Sequence, residues 1–313
     1  MFDSVRLRWR SRPSLVDEIL TPTPAGPYLP VTPGVLRVAA VQMAHQETDD
    51  PAAWIEQCDA LTLAAAWAGA QIVVFPALAP WGLVDALSDV ELGAAFFAAP
   101  GDALSRAHRR RYLRIYPAVH RLHHRTFSFL AHRWKLTIVT GGLPVPQHAV
   151  SALVADVFTP DGRTHPGQAY VASGQLLAIP ELPAISAGDV ALAAVIQDDA
   201  TSAWLGAALA TTSVDVLAVL PDRAPASMDA GGTAAATQTG CYVVRACMVG
   251  ASGAGGKGVR SGVVSPSDIS PDGVILAQAA TDDGEEVVVA ILDIAARRNR
   301  GAAGGDMAPR AAS

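Results

Sequence analysis

The apolar patterning predicts a layered α/β protein, and three observations carry the prediction. The run Leu36-Arg37-Val38-Ala39-Ala40-Val41-Gln42-Met43 reads as a buried strand. Asp50 to Gly69 reads as a helix opened by Asp49 or Asp50 and by Pro51. Gln71 to Phe75 reads as a second strand, and strand, helix, strand at this spacing begins an α/β layer structure.

The remaining elements follow in order. Residues Thr21 to Gly34 hold five prolines, which lack amide donors and resist helix and central strand, so residues 1–35 are expected to be an N-terminal arm ending in a linker. Tyr112, Ile115, Val119, Leu122, Phe129 and Leu130 recur near a helical period, with Pro117 placed to kink or break it, so one long bent helix or two are expected. Strands are expected at Leu136 to Thr140 and Ala152 to Phe158, separated by a Gly141-Gly142 turn and followed by a Pro160-Asp161-Gly162 turn. Later strands are Ala191 to Ile196, Val214 to Leu220, Tyr242 to Met248, Gly262 to Val264 and Val287 to Leu292, with a helix from Trp204 to Ala210. The main domain is expected to span 36–298, and the Gly-, Ala- and Arg-rich tail 299–313 to be disordered. No internal repeat is visible.

Composition narrows the class. The chain has 313 residues, half of them hydrophobic, enough for one large core, yet no apolar run reaches the roughly 20 residues that cross a bilayer. The N-terminus mixes Arg6, Arg8, Arg10 and Arg12 with Asp17 and Glu18 and carries no signal-like segment, so a cytoplasmic protein is expected. Cys58, Cys241 and Cys247 are too few for a disulfide framework and lack metal-type spacing, which fits a reducing compartment. The net charge of −6 conceals an asymmetry: Ala103 to Lys135 carries eight Arg, one Lys and no acid, leaving 14 basic against 29 acidic residues elsewhere. Lys135 and Lys257 are the only lysines.

The run Ile72-Val73-Val74-Phe75-Pro76-Ala77-Leu78-Ala79-Pro80-Trp81-Gly82 carries the functional question. An apolar strand that stops at a proline presents the next side chain at a sheet end, where a titratable group could move protons. Together with Leu36 to Met43, Phe158-Thr159-Pro160-Asp161-Gly162-Arg163, Gly240-Cys241-Tyr242-Val243-Val244 and the closing Pro271-Asp272-Gly273-Val274-Ile275-Leu276-Ala277, it resembles the nitrilase superfamily of carbon–nitrogen hydrolases across about 36–298. The resemblance implies an αββα sandwich that forms a four-layer assembly on pairing, and a Glu–Lys–Cys triad that opens an amide or nitrile.

That chemistry needs each member: a thiolate attacks, a carboxylate shuttles the proton, and an ammonium steadies the developing negative charge. By the resemblance, the glutamate's place after Phe75-Pro76 is Ala77. The lysine's place, some nine residues beyond the Asp-Gly turn, falls at or beside Tyr170, within one or two residues. The cysteine's place in Val195-Ile196-Gln197-Asp198-Asp199 is Gln197. No catalytic residue of the triad is expected to remain.

Other candidates are weighed against simpler readings. Glu181, flanked by Pro180 and Pro183, could serve as a base but reads more simply as an exposed loop carboxylate. Asp198 and Asp199 with Ser202 could form a displaced site but read more simply as a helix cap. Cys241 and Cys247, six apart on one expected strand, should share a face as buried hydrophobes. The Gly253 to Gly262 run lacks phosphate-loop spacing and leads into a strand. His120 and His124 form an i, i+4 pair able to hold a metal, but no acid stands near them in sequence, so a solvated basic face and no metal are expected.

The sequence therefore points to a nitrilase-fold protein without its triad, serving as a binding, scaffolding or oligomer-forming subunit, with no cofactor. It is expected to form a homo-oligomer or to pair with an active relative. The alternatives are a carbon–nitrogen hydrolase of altered mechanism using Glu181, Asp198, Asp199 or Tyr170, and a binder of an anionic protein partner through Arg109, Arg110, Arg111, Arg114, Arg121 and Arg125. An acidic chain without a recognition motif argues against nucleic acid, and its short apolar runs argue against a membrane span.

Overall fold

The computed structural model of the chain describes residues 11–21, 34–46, 50–77, 79–87, 106–143, 145–147, 150–171, 185–196, 209, 213–221, 236, 239–250, 260–266, 269–270 and 275–305; at 85–86, 106–109, 145–147, 150–153, 166–171 and 300–305 it describes the backbone. Helices α1 (Ser14–Leu20), α2 (Pro51–Trp67), α3 (Trp81–Leu87), α4 (Arg106–Trp134) and α5 (Ile294–Gly305) accompany fourteen strands among the described residues. These are β1 (Val35–Ala44), β2 (Ile72–Val74), β3 (Thr137–Gly141), β4 (Val145–Gln147), β5 (Val150–Phe158), β6 (Thr164–Val171) and β7 (Ile185–Ala187). They continue with β8 (Val190–Ile196), β9 (Val216–Leu220), β10 (Tyr242–Arg245), β11 (Met248–Val249), β12 (Gly262–Val264), β13 (Ile275–Gln278) and β14 (Glu286–Asp293).

Two sheets form. In the first, β1, β2 and β3 run parallel, β14 lies antiparallel on the other edge of β1 with β11 extending that edge, and β5 follows β3 antiparallel with β6 beyond it. The second has the order β13-β12-β10-β9-β8-β7. Side-chain parity divides the second sheet between two cores, because alternate residues of a strand face opposite sides. Leu192, Ala194, Ile196, Val216, Ala218, Leu220, Tyr242 and Val244 join the core shared with the first sheet. Their neighbours Ala193, Val195, Leu217, Val219, Cys241 and Val243 pack with Leu209, Val214 and Ala236 on the outer face. With α2 and α4 covering the first sheet, the layers are those of an αββα sandwich.

Helix α2 starts where expected because the Asp50 carboxylate accepts from Ala52 N at 2.9 Å and Pro51 has no amide to satisfy. Its buried face includes Trp54, Cys58, Leu61 and Ala65, three or four residues apart as one side of a helix requires, and Gly69, at φ +77°, closes it. Helix α4 is one unbroken helix through Pro117. Pro117 is exposed, as is Leu113, whose carbonyl loses its partner, so water can satisfy the group the proline orphans.

Three expectations change. Residues 14–20, within the anticipated arm, form α1, which buries Val16 and Leu20 against α2 and α4. Helix α5 continues through Gly305, into the segment expected to be disordered, while 306–313 lie outside the described residues. Cys241 and Cys247 do not share a strand: β10 ends at Arg245, and the chain then crosses to the first sheet as β11. The Trp204 to Ala210 helix and the Gly253 to Gly262 run fall largely outside the described residues. Among the described residues, no helix is long and apolar enough to cross a membrane.

Where the chain crosses between sheets, a buried polar network fixes β1. The Gln42 side chain, fully buried, donates to Thr281 O and Gly284 O at 2.8 Å each and accepts from Ser261 N at 2.9 Å. Ser261 Oγ donates to Val41 O at 3.1 Å and accepts from Cys247 N at 2.8 Å. A fully satisfied network in a low-dielectric core specifies one register, and it becomes a penalty when one member is lost. Gln42→Leu keeps the volume but strands one amide and two carbonyls, so the midpoint of urea unfolding should fall by the equivalent of about 3 kcal/mol, each orphaned group costing about 1–3 kcal/mol. An unchanged midpoint would show that the network is dispensable.

Candidate active site at the end of the second strand

Strand β2 is held on both edges by parallel neighbours, and the ladder continues one residue further through Phe75 N to Val139 O at 2.7 Å. Pro76 then ends it, having no amide to offer. Its carbonyl is still held, accepting from Gly141 N at 3.2 Å and from Ala79 N at 3.4 Å in the turn that leads to α3. Ala77 stands in that turn, 1% exposed and part of the main apolar core. Around the turn, Trp54 Nε1 donates to Ala79 O at 2.8 Å, and Phe75 meets Phe127 edge-on at 4.9 Å. The position is sharply defined and carries only a methyl group.

The register of the first sheet relates Ala77 to the other expected positions. Gly141, bonded to Pro76, pairs with Ala155 of β5; Gly142 N donates to Val154 O at 2.7 Å. Val154 pairs with Ala169, and Leu153 with Tyr170, on β6. The backbones of Ala77 and Tyr170 thus lie toward the same end of the sheet, with β3 and β5 between them. Gln197 follows the last residue of β8 and, with Glu181, Asp198 and Asp199, lies outside the described residues.

Lys135, at φ +55°, sits at the opposite ends of the parallel strands, on the rim of a cavity of about 200 Å³ lined by Leu36, Ile72, Thr137 and Val190 among others. Cys58, Cys241 and Cys247 are buried thiols. Burial, with Glu285 and Asp59 nearby, pushes the Cys58 thiol well above its ordinary value, and burial also raises Cys241, so neither is poised as a thiolate.

On its helix-facing side the same end of the sheet holds a cluster the sequence did not reveal. Asp156 of β5, 7% exposed, faces α4, where His120, His123 and His124 lie on consecutive turns. The expectation that no carboxylate approaches these histidines is therefore corrected: alternation along β5 sends Asp156 and Phe158 to the helix side, and Phe158 packs against His123 and His124. The wholly solvated basic face is corrected too, because His123 is only 1% exposed. Burial first, and then the neighbouring His124 and His120, hold His123 well below the ordinary histidine range, so it is neutral at physiological pH. Its Nε2 has no hydrogen-bond partner among the described residues, a state that costs about 1–3 kcal/mol in a protein interior. His124 Nε2 lies 3.3 Å from Asp156 Oδ2 but outside hydrogen-bond geometry. Burial, and then Asp156, raise the Tyr116 phenol, which stacks on His120 with ring centroids 5.6 Å apart.

The basic stretch divides between internal and exposed roles. Arg125 pairs with Asp17 at 2.7 Å and Arg133 donates to Leu20 O, so both fasten α1 to α4. Arg110, Arg114 and Arg121 are exposed and Arg111 is half-buried, while the Arg109 side chain lies outside the described residues.

Comparison with known proteins places this arrangement. No curated protein sequence matches the chain. Solved structures do: the acrylamide complex of a double mutant of the amidase from Nesterenkonia sp. AN1 superposes with a TM-score of 0.60 at 18% identity, over 89% of this chain and 98% of that one. A mutant of the same amidase showing covalent addition of the acetamide moiety of fluoroacetamide at its active-site cysteine gives 0.60 and 18%, over 89% and 99%. An amidase from Nesterenkonia sp. gives 0.59 and 18%, over 90% and 99%. At that identity the likeness is one of fold. The carbon-nitrogen hydrolase family profile matches residues 37–300, most of the chain. This chain, with its two stacked sheets and its pinned strand end after Phe75-Pro76, belongs to the carbon–nitrogen hydrolase family.

Proposed function

We propose that the protein is a carbon–nitrogen hydrolase relative that no longer hydrolyses amides or nitriles and works as a binding, scaffolding or oligomer-forming subunit. The observation that supports this reading is Ala77: the turn after Pro76 holds it in a buried, well-bonded position, and a methyl group there can neither take a proton nor return one. The nucleophile and cation positions point the same way in the sequence, as Gln197 and Tyr170. Losing a nucleophile that works as a unit with its base costs on the order of 10⁶ in turnover, and losing the partners as well adds little. Purified protein should show no turnover on a panel of aliphatic and aromatic amides and nitriles above a heat-killed control. Turnover that disappears in Asp199→Asn or Glu181→Gln would overturn this reading in favour of a hydrolase of altered mechanism.

The assembly half of the proposal rests on the surface. Trp67 and Ile291 are 63% and 59% exposed, large apolar side chains available for a second copy or a related chain to cover. Arg110, Arg114 and Arg121 add exposed positive charge on α4 for an acidic partner face. Light scattering on the purified chain should give a mass at least twice 32.3 kDa and should lose the higher species in Trp67→Glu or Ile291→Glu. A monomer at every concentration would remove self-association from the proposal.

A further inference from the structure

The gap between α4 and the first sheet holds a set of donors that the proposed function does not use. One ligand atom each from His123, His124 and Asp156 falls within 4.8 Å of the others. We propose that these three residues bind one divalent transition-metal ion, with zinc the first to test. The assignment is independent of whether the chain retains hydrolytic activity.

Four observations support it. His123 is buried to 1% exposure, and its Nε2 has no hydrogen-bond partner among the described residues, so a strong Lewis base is kept dry and unused. His124 Nε2 and Asp156 Oδ2 lie 3.3 Å apart, an ion-pair contact that already has the spacing of two ligands on one ion. Asp156 stands at an irregularity of the β5–β6 ladder, opposite Pro166, and such bulges re-aim a side chain. Gly142 packs against it: a Cβ there would touch Asp156 Oδ2 at 3.4 Å and crowd Val154 O at 3.1 Å, so the glycine leaves space beside the carboxylate.

The donor chemistry selects the ion class. Imidazole suits zinc, copper, nickel and iron, whereas calcium and magnesium take all-oxygen sets. Zinc bonds of about 2.0–2.2 Å place tetrahedral donors about 3.4 Å apart, a closure available to His124, whose side chain is 27% exposed and can turn toward the fixed His123. Three protein donors leave a further position for water or for His120, whose ring centroid lies 4.0 Å from that of His124. A bound ion would cross-link α4 to β5 beside the turn that holds Ala77.

The test is a titration of the full-length, chelator-treated protein with zinc, and with cobalt for its visible ligand-field bands, alongside variants. The expected result is one equivalent bound per chain, cobalt bands of a low-coordinate nitrogen and oxygen site, and a higher melting temperature with zinc. Asp156→Asn and His124→Gln should each weaken binding at least about 10-fold, while His132→Gln, on the same helix with its ring turned to Pro160 O at 3.2 Å, should leave it unchanged. His124→Gln, at a partly exposed position, serves where Asp156→Asn lowers stability. Binding no stronger than at scattered surface histidines, or affinity unaffected by both Asp156→Asn and His124→Gln, would overturn the proposal.

Discussion

The organising constraint is the way β2 ends. Pro76 cannot extend the ladder, so the chain must turn there, and the turn is fixed by the Pro76 carbonyl, which Gly141 and Ala79 both bond. Whatever residue follows is delivered to the same place. In this chain that residue is Ala77, and the apolar ring of Phe75, Phe127 and Trp54 near it needs no charged group to remain packed. Geometry that positions a catalytic side chain is thus separable from the side chain, which is how a fold persists when its chemistry changes.

The frame around this turn is held from two directions. Gln42 and Ser261 join β1 to the second sheet at the point where the chain crosses over. At the other end, Asp215, 2% exposed at its side chain, accepts from Arg297 at 2.7 Å and Arg298 at 2.6 Å, binding α5 to the second sheet. Asp215 also accepts from Ala191 N at 3.1 Å, so the buried carboxylate is fully engaged. Both clusters lie off the candidate site, yet they set the strand register on which its position depends.

Much of this was legible in the residues. Strands buried on both faces, such as β8 and β9, announce themselves as apolar runs, and β1, β5, β12 and β14 are apolar enough to fall, like them, within a residue or two of expectation. Strand β6 did not, because Thr-His-Pro-Gly-Gln-Ala-Tyr-Val carries a proline and a glycine and becomes a strand only as the outer neighbour of β5. The split of Cys241 from Cys247 was hidden for a related reason: local pattern does not tell a continuous strand from one that changes sheets. Of the site, Ala77 was readable because the family resemblance marks the residue after Phe75-Pro76, adjacent in sequence. The approach of Asp156 to His123 and His124 was not, since it joins residues over thirty positions apart, and only the alternation of β5 hinted at it.

The central claim is that the pinned strand end carries no working nucleophile and base. Intact-mass spectrometry of the native protein after incubation with a small haloacetamide addresses it directly, because an activated nucleophile is alkylated far faster than a buried thiol or a neutral amide. The account predicts an unchanged mass on the native chain, with the three cysteines labelled only after unfolding. A single adduct formed rapidly on the folded protein, mapping to Cys58, Cys241, Cys247 or the stretch from Gln197 to Asp199, would contradict it.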